Sequence, residues 1–161
     1  MNIFHPIQTS SAIIDIWWLF DDDGRLTLLL PYLLRCRRRW HLHVLHGLNK
    51  QPNVYETQKF DQLLQAWHEN NKKRTENDES WKITETEVEA NKEKIKRGLN
   101  LHEYLVEHSS KSSLIIVTLP ISRKQSISPG LYLVYLGAIS YNLPPLLFVG
   151  SNQKNVLTYY S

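Results

Sequence analysis

Short, continuously apolar runs, separated by amphipathic or polar stretches, constrain this chain more than any other feature. Leu114 to Leu119 reads LIIVTL and is closed by Pro120. Ala12 to Phe20 reads AIIDIWWLF, and Leu146 to Val149 reads LLFV and is closed by Gly150. Runs this short, rich in β-branched and aromatic residues and without polar alternation, predict strands buried on both faces. Leu42 to Leu45, ended by Gly47, and Asn155 to Tyr160 predict two further short strands.

The intervening segments read as helices. Leu26 to Trp40 is one, with Pro31 accommodated near its start and Arg35 to Arg39 in its last turn, where cations suit the helix dipole. Tyr55 to Glu69 repeats apolar residues Phe60, Leu63, Leu64 and Trp67 at spacings of three and four. Thr84 followed by Glu87 is a capping box. It opens a largely exposed helical stretch through Val88, Ile95, Leu99, Tyr104 and Leu105, with Gly98 as its expected break. Leu131 to Leu143 is an aromatic-rich helix. Strands alternating with helices predict an α/β fold: a doubly wound, mainly parallel sheet with helices on both faces.

A length of 161 residues suits one domain. Residues 1–11 form a polar lead, and residues 12–161 the domain. Asn70 to Ser80 contains no apolar residue at all, so a mobile polar loop is expected at about 70–80. A mean hydropathy of -0.39 points to water as the solvent. No apolar run reaches the ~20 residues that span a bilayer. Leu131 to Val149 is long, but Asn142, Pro144 and Pro145 divide it. The N-terminal MNIFHPIQTS has no basic start, so no signal peptide is expected. The formal net charge of +3 is too small for a nucleic-acid footprint. The single cysteine, Cys36, cannot form an internal disulfide and reads as a small helix side chain.

Ligands of doubly wound folds collect at the carboxyl ends of the strands. After the first strand stand Asp21, Asp22, Asp23 and Gly24. Three carboxylates could hold magnesium, or form a solvated turn at a helix N-terminus. They lack the glycines of a phosphate-binding turn. After LIIVTL comes PISRKQSISPG. Its Arg123, Lys124, Ser126 and Ser128 read as an anion-binding loop, a phosphorylation segment through Ser126 and Ser128, or a plain loop. In HLHVLH, His41 and His43 share a strand face while His46 lies past the strand end. They read as polar edge-strand residues, because no fourth ligand accompanies them for zinc. There is no G-x-S-x-G, no H-E-x-x-H and no P-loop spacing in GSNQKN. These readings predict no enzyme, no catalytic residue, no metal site and no cofactor, with ATP and magnesium as the alternative.

Longer strings carry a resemblance. AIIDIWWLF, then the Asp pair, LTLLLPYLL, a run of arginines and Trp40 resemble the start of the C-terminal domain of sodium–potassium–chloride cotransporters. NKQPNVYETQKFDQLL, SWKITETEV, LHEYLVEHSSKSSLIIVTLPISRK and PPLLFVGSNQKNVLTYYS continue it in the same order, over nearly the whole chain. The resemblance implies a cytoplasmic regulatory and dimerising domain related in fold to universal stress proteins. Its implied partners are the parent's membrane transport domain and a second copy, not nucleic acid. It also implies a parent that moves sodium, potassium and chloride together, through membrane helices this chain does not match. A nucleotide-binding, universal-stress-like module is the alternative function. Two departures stand out. Asp23, Gly24 and Arg25 replace the family's paired glycines, with one extra residue, and one βα unit of the family pattern is missing between Trp40 and HLHVLH. Its loss would expose a strand edge.

Overall fold

The computed structural model describes residues 13–19, 39–45, 50–72, 78–119 and 127–150. The polar lead, Asp21 to Gly24, the helix expected before residue 39, Cys36, His46, Ser126, GSNQKN and the last expected strand lie outside the described residues. So does the centre of the polar loop, 73–77.

The chain divides into two compact units: Met1–Leu45, Lys111–Leu119 and Pro144–Ser161 form one, and His46–Ser110 with Pro120–Leu143 form the other. The first contains the sheet. Its strands are β1 (Ile13–Leu19), β2 (Arg39–Leu45), β3 (Leu114–Thr118) and β4 (Leu146–Val149), in the order β2-β1-β3-β4. Every pairing is parallel. The chain steps from β1 to β2 in one direction, then returns across β1 to add β3 and β4 in the other. That reversal is the order of a doubly wound α/β sheet. β1 and β2 stay in register over seven residue pairs, from Ile13 opposite Arg39 to Leu19 opposite Leu45. Ile14, Asp15, Ile16 and Trp17 are consecutive and buried, as are Ile115, Ile116 and Val117. Both faces of these central strands are therefore out of solvent, as their unbroken apolar sequences require.

One boundary differs from expectation. Arg39 and Trp40 begin β2 and do not end a helix. Backbone pairing with Ile13 and Ile14 extends the strand three residues ahead of its apolar run. Local propensity at an Arg-Trp step does not report that partner.

The second unit is helical. α1 (Val54–Asn70) starts at Asn53, whose side chain accepts from the Tyr55 N–H. A single 3-10 turn covers Glu79–Trp81. α2 (Glu85–Ala90) is capped by Thr84, whose hydroxyl accepts from the Glu87 N–H at 3.2 Å. α3 (Lys92–Ser109) follows, and α4 (Pro129–Ser140) completes the unit. Phe60, Ile83, Ile95, Leu99, Leu131, Val134 and Ala138 form its core.

Two helix expectations are corrected. The break between α2 and α3 falls at Asn91, not at Gly98. Asn91 folds its own amide onto the Glu87 carbonyl at 2.9 Å, competing with the helical ladder. Gly98 continues the helix because it is a contact point: a Cβ there would lie 2.3 Å from the Tyr135 ring of α4. α3 is also not largely exposed, since Ile95, Leu99, Asn100, Leu101, His102 and Leu105 are buried. Leu101 and the polar Asn100 and His102, none of them among the expected apolar positions, are buried as well.

Candidate functional site

Three polar constellations stand out in the described residues. The first lies in the sheet. Asp15 interrupts the apolar run of β1, and strand pairing sets it beside His41 of β2 and Ile115 of β3. It is 2% exposed. His41 Nδ1 donates to Asp15 Oδ1 at 3.0 Å, and the Ser112 hydroxyl donates to Asp15 Oδ2. His43 Nε2 lies 3.8 Å from the same Oδ1, and its ring stacks on Trp17 at 4.3 Å with 8° between planes. The expected sharing of a face by His41 and His43 is what brings both to one carboxylate. A buried carboxylate is tolerated only when donors surround it. Here His41 on the neighbouring strand and Ser112, just ahead of β3, supply the donors, with the His43 ring close by. Among the described residues no three His, Cys, Asp or Glu side chains form a group able to hold a metal ion.

The second constellation contains Ser128, which sits at the N-cap of α4 immediately before Pro129, not within a longer loop. Its hydroxyl accepts from the Leu131 N–H at 3.2 Å. Its own N–H donates to Oε1 of Glu87, the third residue of α2. Only the first half of the expected capping box is seen: the Glu87 N–H bonds Thr84, while its carboxylate holds the start of another helix. Gly130 sits close by, where a Cβ would meet the Trp81 carbonyl at 2.5 Å. Ser126, Arg123 and Lys124 lie outside the described residues.

The third was not foreseen. Glu56 in the first turn of α1 and His102 of α3 are both buried. His102 Nδ1 donates to the Ile139 carbonyl of α4 at 3.1 Å, and its Nε2 faces Glu56 Oε2 at 3.6 Å. Glu103 Oε1 accepts from the Asn53 N–H at 2.5 Å, and the Asn100 amide donates to the Lys50 carbonyl. Burial pushes the Glu56 carboxyl above its ordinary range; His102 opposes the shift and Glu103 adds to it. In sequence Glu56 looks like any acid favoured at a helix N-terminus, so only packing reveals its burial. Elsewhere, burial raises the Tyr132 phenol, and the Glu89 carboxylate raises the Lys92 ammonium at the surface.

At the reversal point between β1 and β3, the Thr118 hydroxyl donates to the Trp17 carbonyl and accepts from the Leu19 N–H, each at 3.4 Å. No helix among the described residues is long and apolar enough to cross a membrane.

Comparison with known proteins follows the same lines. The family model of solute carrier family 12 matches residues 1–42 and 41–161. Solute carrier family 12 member 1 of Mus musculus is 37% identical over 196 residues, covering 96% of this chain and 18% of that protein. Member 2 of Mus musculus is 35% identical over 190 residues, and member 2 of Squalus acanthias 32% over 196. The chain thus spans less than a fifth of the length of these relatives, 18% for member 1. The aligned stretch of 196 residues is longer than the chain's own 161.

Proposed function

The chain belongs to solute carrier family 12, and we propose that it is the regulatory and dimerising domain of a cation–chloride symporter. In this reading the parent carries sodium, potassium and chloride together in an electroneutral cycle. The domain works on the cytoplasmic side, beside the parent's transport domain and a second copy of itself. It has no ion pathway and performs no catalysis. The observation that carries the reading is the family match along the whole chain, joined to an α/β sheet and, among the described residues, no helix long and apolar enough to cross a membrane.

The test is chloride- and sodium-dependent rubidium uptake in cells. The parent transporter is expressed intact, without this segment, and as the segment alone. Uptake should be lost or misregulated without the segment, and the segment alone should carry none. Full, normally regulated uptake without it would defeat the reading.

Ser126 and Ser128 are the proposed phosphorylation sites. At Ser128 a phosphate would gain the helix N-terminus but meet the Glu87 carboxylate, so it would compete for the start of α4. Mass spectrometry after treatment with a proline-directed kinase should find phosphate on Ser128, and an unmodified Ser128 would overturn that assignment.

A nucleotide-binding module is the second reading, favoured by the reversal between β1 and β3, where doubly wound sheets bind ligands. Calorimetry with ATP and magnesium decides it: saturable heat that disappears on substituting residues of the Asp21–Arg25 turn would support this reading.

A further inference from the structure

We infer that the cavity between α1 and α2 is a docking site for a peptide segment of a partner protein, one that presents an apolar side chain flanked by lysine or arginine. The cavity lies within the helical unit and does not depend on the proposed dimerising role.

The cavity measures about 420 Å³, inside the range of about 300–1,000 Å³ that binding clefts occupy. α1 contributes Leu64 and His68 to its lining, the residues just ahead of α2 contribute Ile83, and α2 contributes Glu85, Val88 and Glu89. Leu64 and Val88 are partly buried and pack against the core cluster that contains Ile83. The apolar lining is thus continuous with the helical core. A side chain that covers it removes apolar surface from water, which favours binding.

Charge decides which side chains suit the rim. Glu85 and Glu89 stand four residues apart in α2, so they share one face and their like charges oppose each other. Both are exposed. The Lys92 ammonium bonds Glu89 at 2.8 Å and 3.2 Å, and Glu85 stands a full turn away at the other end of α2. The side chains of the Lys92–Glu89 pair are 55% and 71% exposed, so water screens the pair and it yields readily to a competing cation. The chain as a whole carries a formal charge of +3. A basic partner is therefore drawn to this rim and not to the chain at large.

A ligand that meets both carboxylates and the apolar lining carries an apolar group between two cations. Consecutive side chains of a peptide supply that set, whereas a small amine supplies one charge. Lysine and arginine suit the place because their stems lie along apolar surface while their heads reach carboxylates. The adjoining stretch of this chain, residues 70–80, has no apolar residue to offer the lining.

Selection of a displayed library of short random peptides on the whole chain tests the site. The recovered peptides should carry an apolar residue beside lysine or arginine and bind saturably by fluorescence anisotropy. Glu85→Gln/Glu89→Gln should weaken that binding at least about tenfold. Glu107→Gln, at an exposed acid of α3, is the control and should leave it unchanged. All three substitutions fall at exposed positions, and circular dichroism verifies folding. Added salt should weaken wild-type binding more than binding to the double variant. Methyl NMR of the wild type, which needs no variant, should show Leu64, Ile83 and Val88 shifted by the bound peptide. A library that yields no enriched peptide, or only peptides without cations, overturns the inference. So does binding indifferent to the double variant, or methyl shifts confined to other residues. Leucinamide, a single cation on a leucine side chain, binding there as tightly as the peptides would overturn the peptide as occupant in favour of a small amine.

Discussion

Asp15 in the sheet unit and Glu56 in the helical unit are both buried carboxylates facing imidazoles, yet they are built differently. Asp15 accepts from His41 at 3.0 Å, a partner set by strand register, and from Ser112, just ahead of β3. Glu56 meets its histidine at 3.6 Å, beyond a good hydrogen bond, with Glu103 nearby. The difference lies in how the partner is delivered. Register fixes a neighbouring side chain to one position, because adjacent strands pair residue by residue. Helix packing fixes only faces, and the His102 ring is already committed to the Ile139 carbonyl. Desolvation therefore dominates at Glu56, while Asp15 is compensated by donors.

Substitutions sharpen that contrast. Asp15→Ala should have the largest effect, about 3–5 kcal/mol in urea unfolding, because it strips the acceptor from a buried polar cluster. A loss under about 1 kcal/mol would show that the cluster is not compensating a buried charge. His102→Ala should cost about 1–3 kcal/mol by orphaning the Ile139 carbonyl and opening space among the helices. An equal or greater loss than for Asp15→Ala would reverse the ranking of the two sites. Thr84→Ala should cost about 1 kcal/mol through its lost cap. Hydrogen exchange should place that loss at α2 and the start of α4, leaving β1 and β2 unchanged. Glu56→Gln should have the smallest effect at any one pH and show itself in the slope. The raised Glu56 carboxyl binds its proton more tightly folded than unfolded. Its stabilising contribution is thus complete below its ordinary value of 4.5 and is lost as pH rises through the raised value. Glutamine removes that loss, so the variant should hold its stability better than wild type toward neutral pH. An unchanged pH profile would mean that Glu56 is not desolvated.

Much of the sheet was legible in the residues. LIIVTL marks β3 because a central parallel strand is apolar on both faces, whereas LLFV marks β4 as a strand but not its place at the margin of the sheet, where Leu147 is exposed and the expected burial of both faces fails. The i, i+2 spacing of His41 and His43 gives their common face because strand side chains alternate. The N-cap at Thr84 was legible because its bond spans three residues, but the Glu87 carboxylate that the motif would turn back to Thr84 goes to Ser128. The start of β2 was not, since Arg39 and Trp40 are strand only through pairing with β1. Gly98 misled in the opposite sense. Glycine weakens a helix locally, but here the Tyr135 ring takes the place of its side chain. The Glu56–His102 pair left no signal, because acids and histidines on helices look alike whether solvated or buried.

The order of strands and helices, the α/β class and the family were determined by the sequence itself, because hydrophobic periodicity and local caps act over a few neighbouring residues. The partners of Asp15, the burial of Glu56, the helix end held by Glu87 and the exposed margin of β2 were decided only in three dimensions. Each depends on residues far apart in the chain meeting at a distance of a few ångströms, and no local pattern encodes such a meeting.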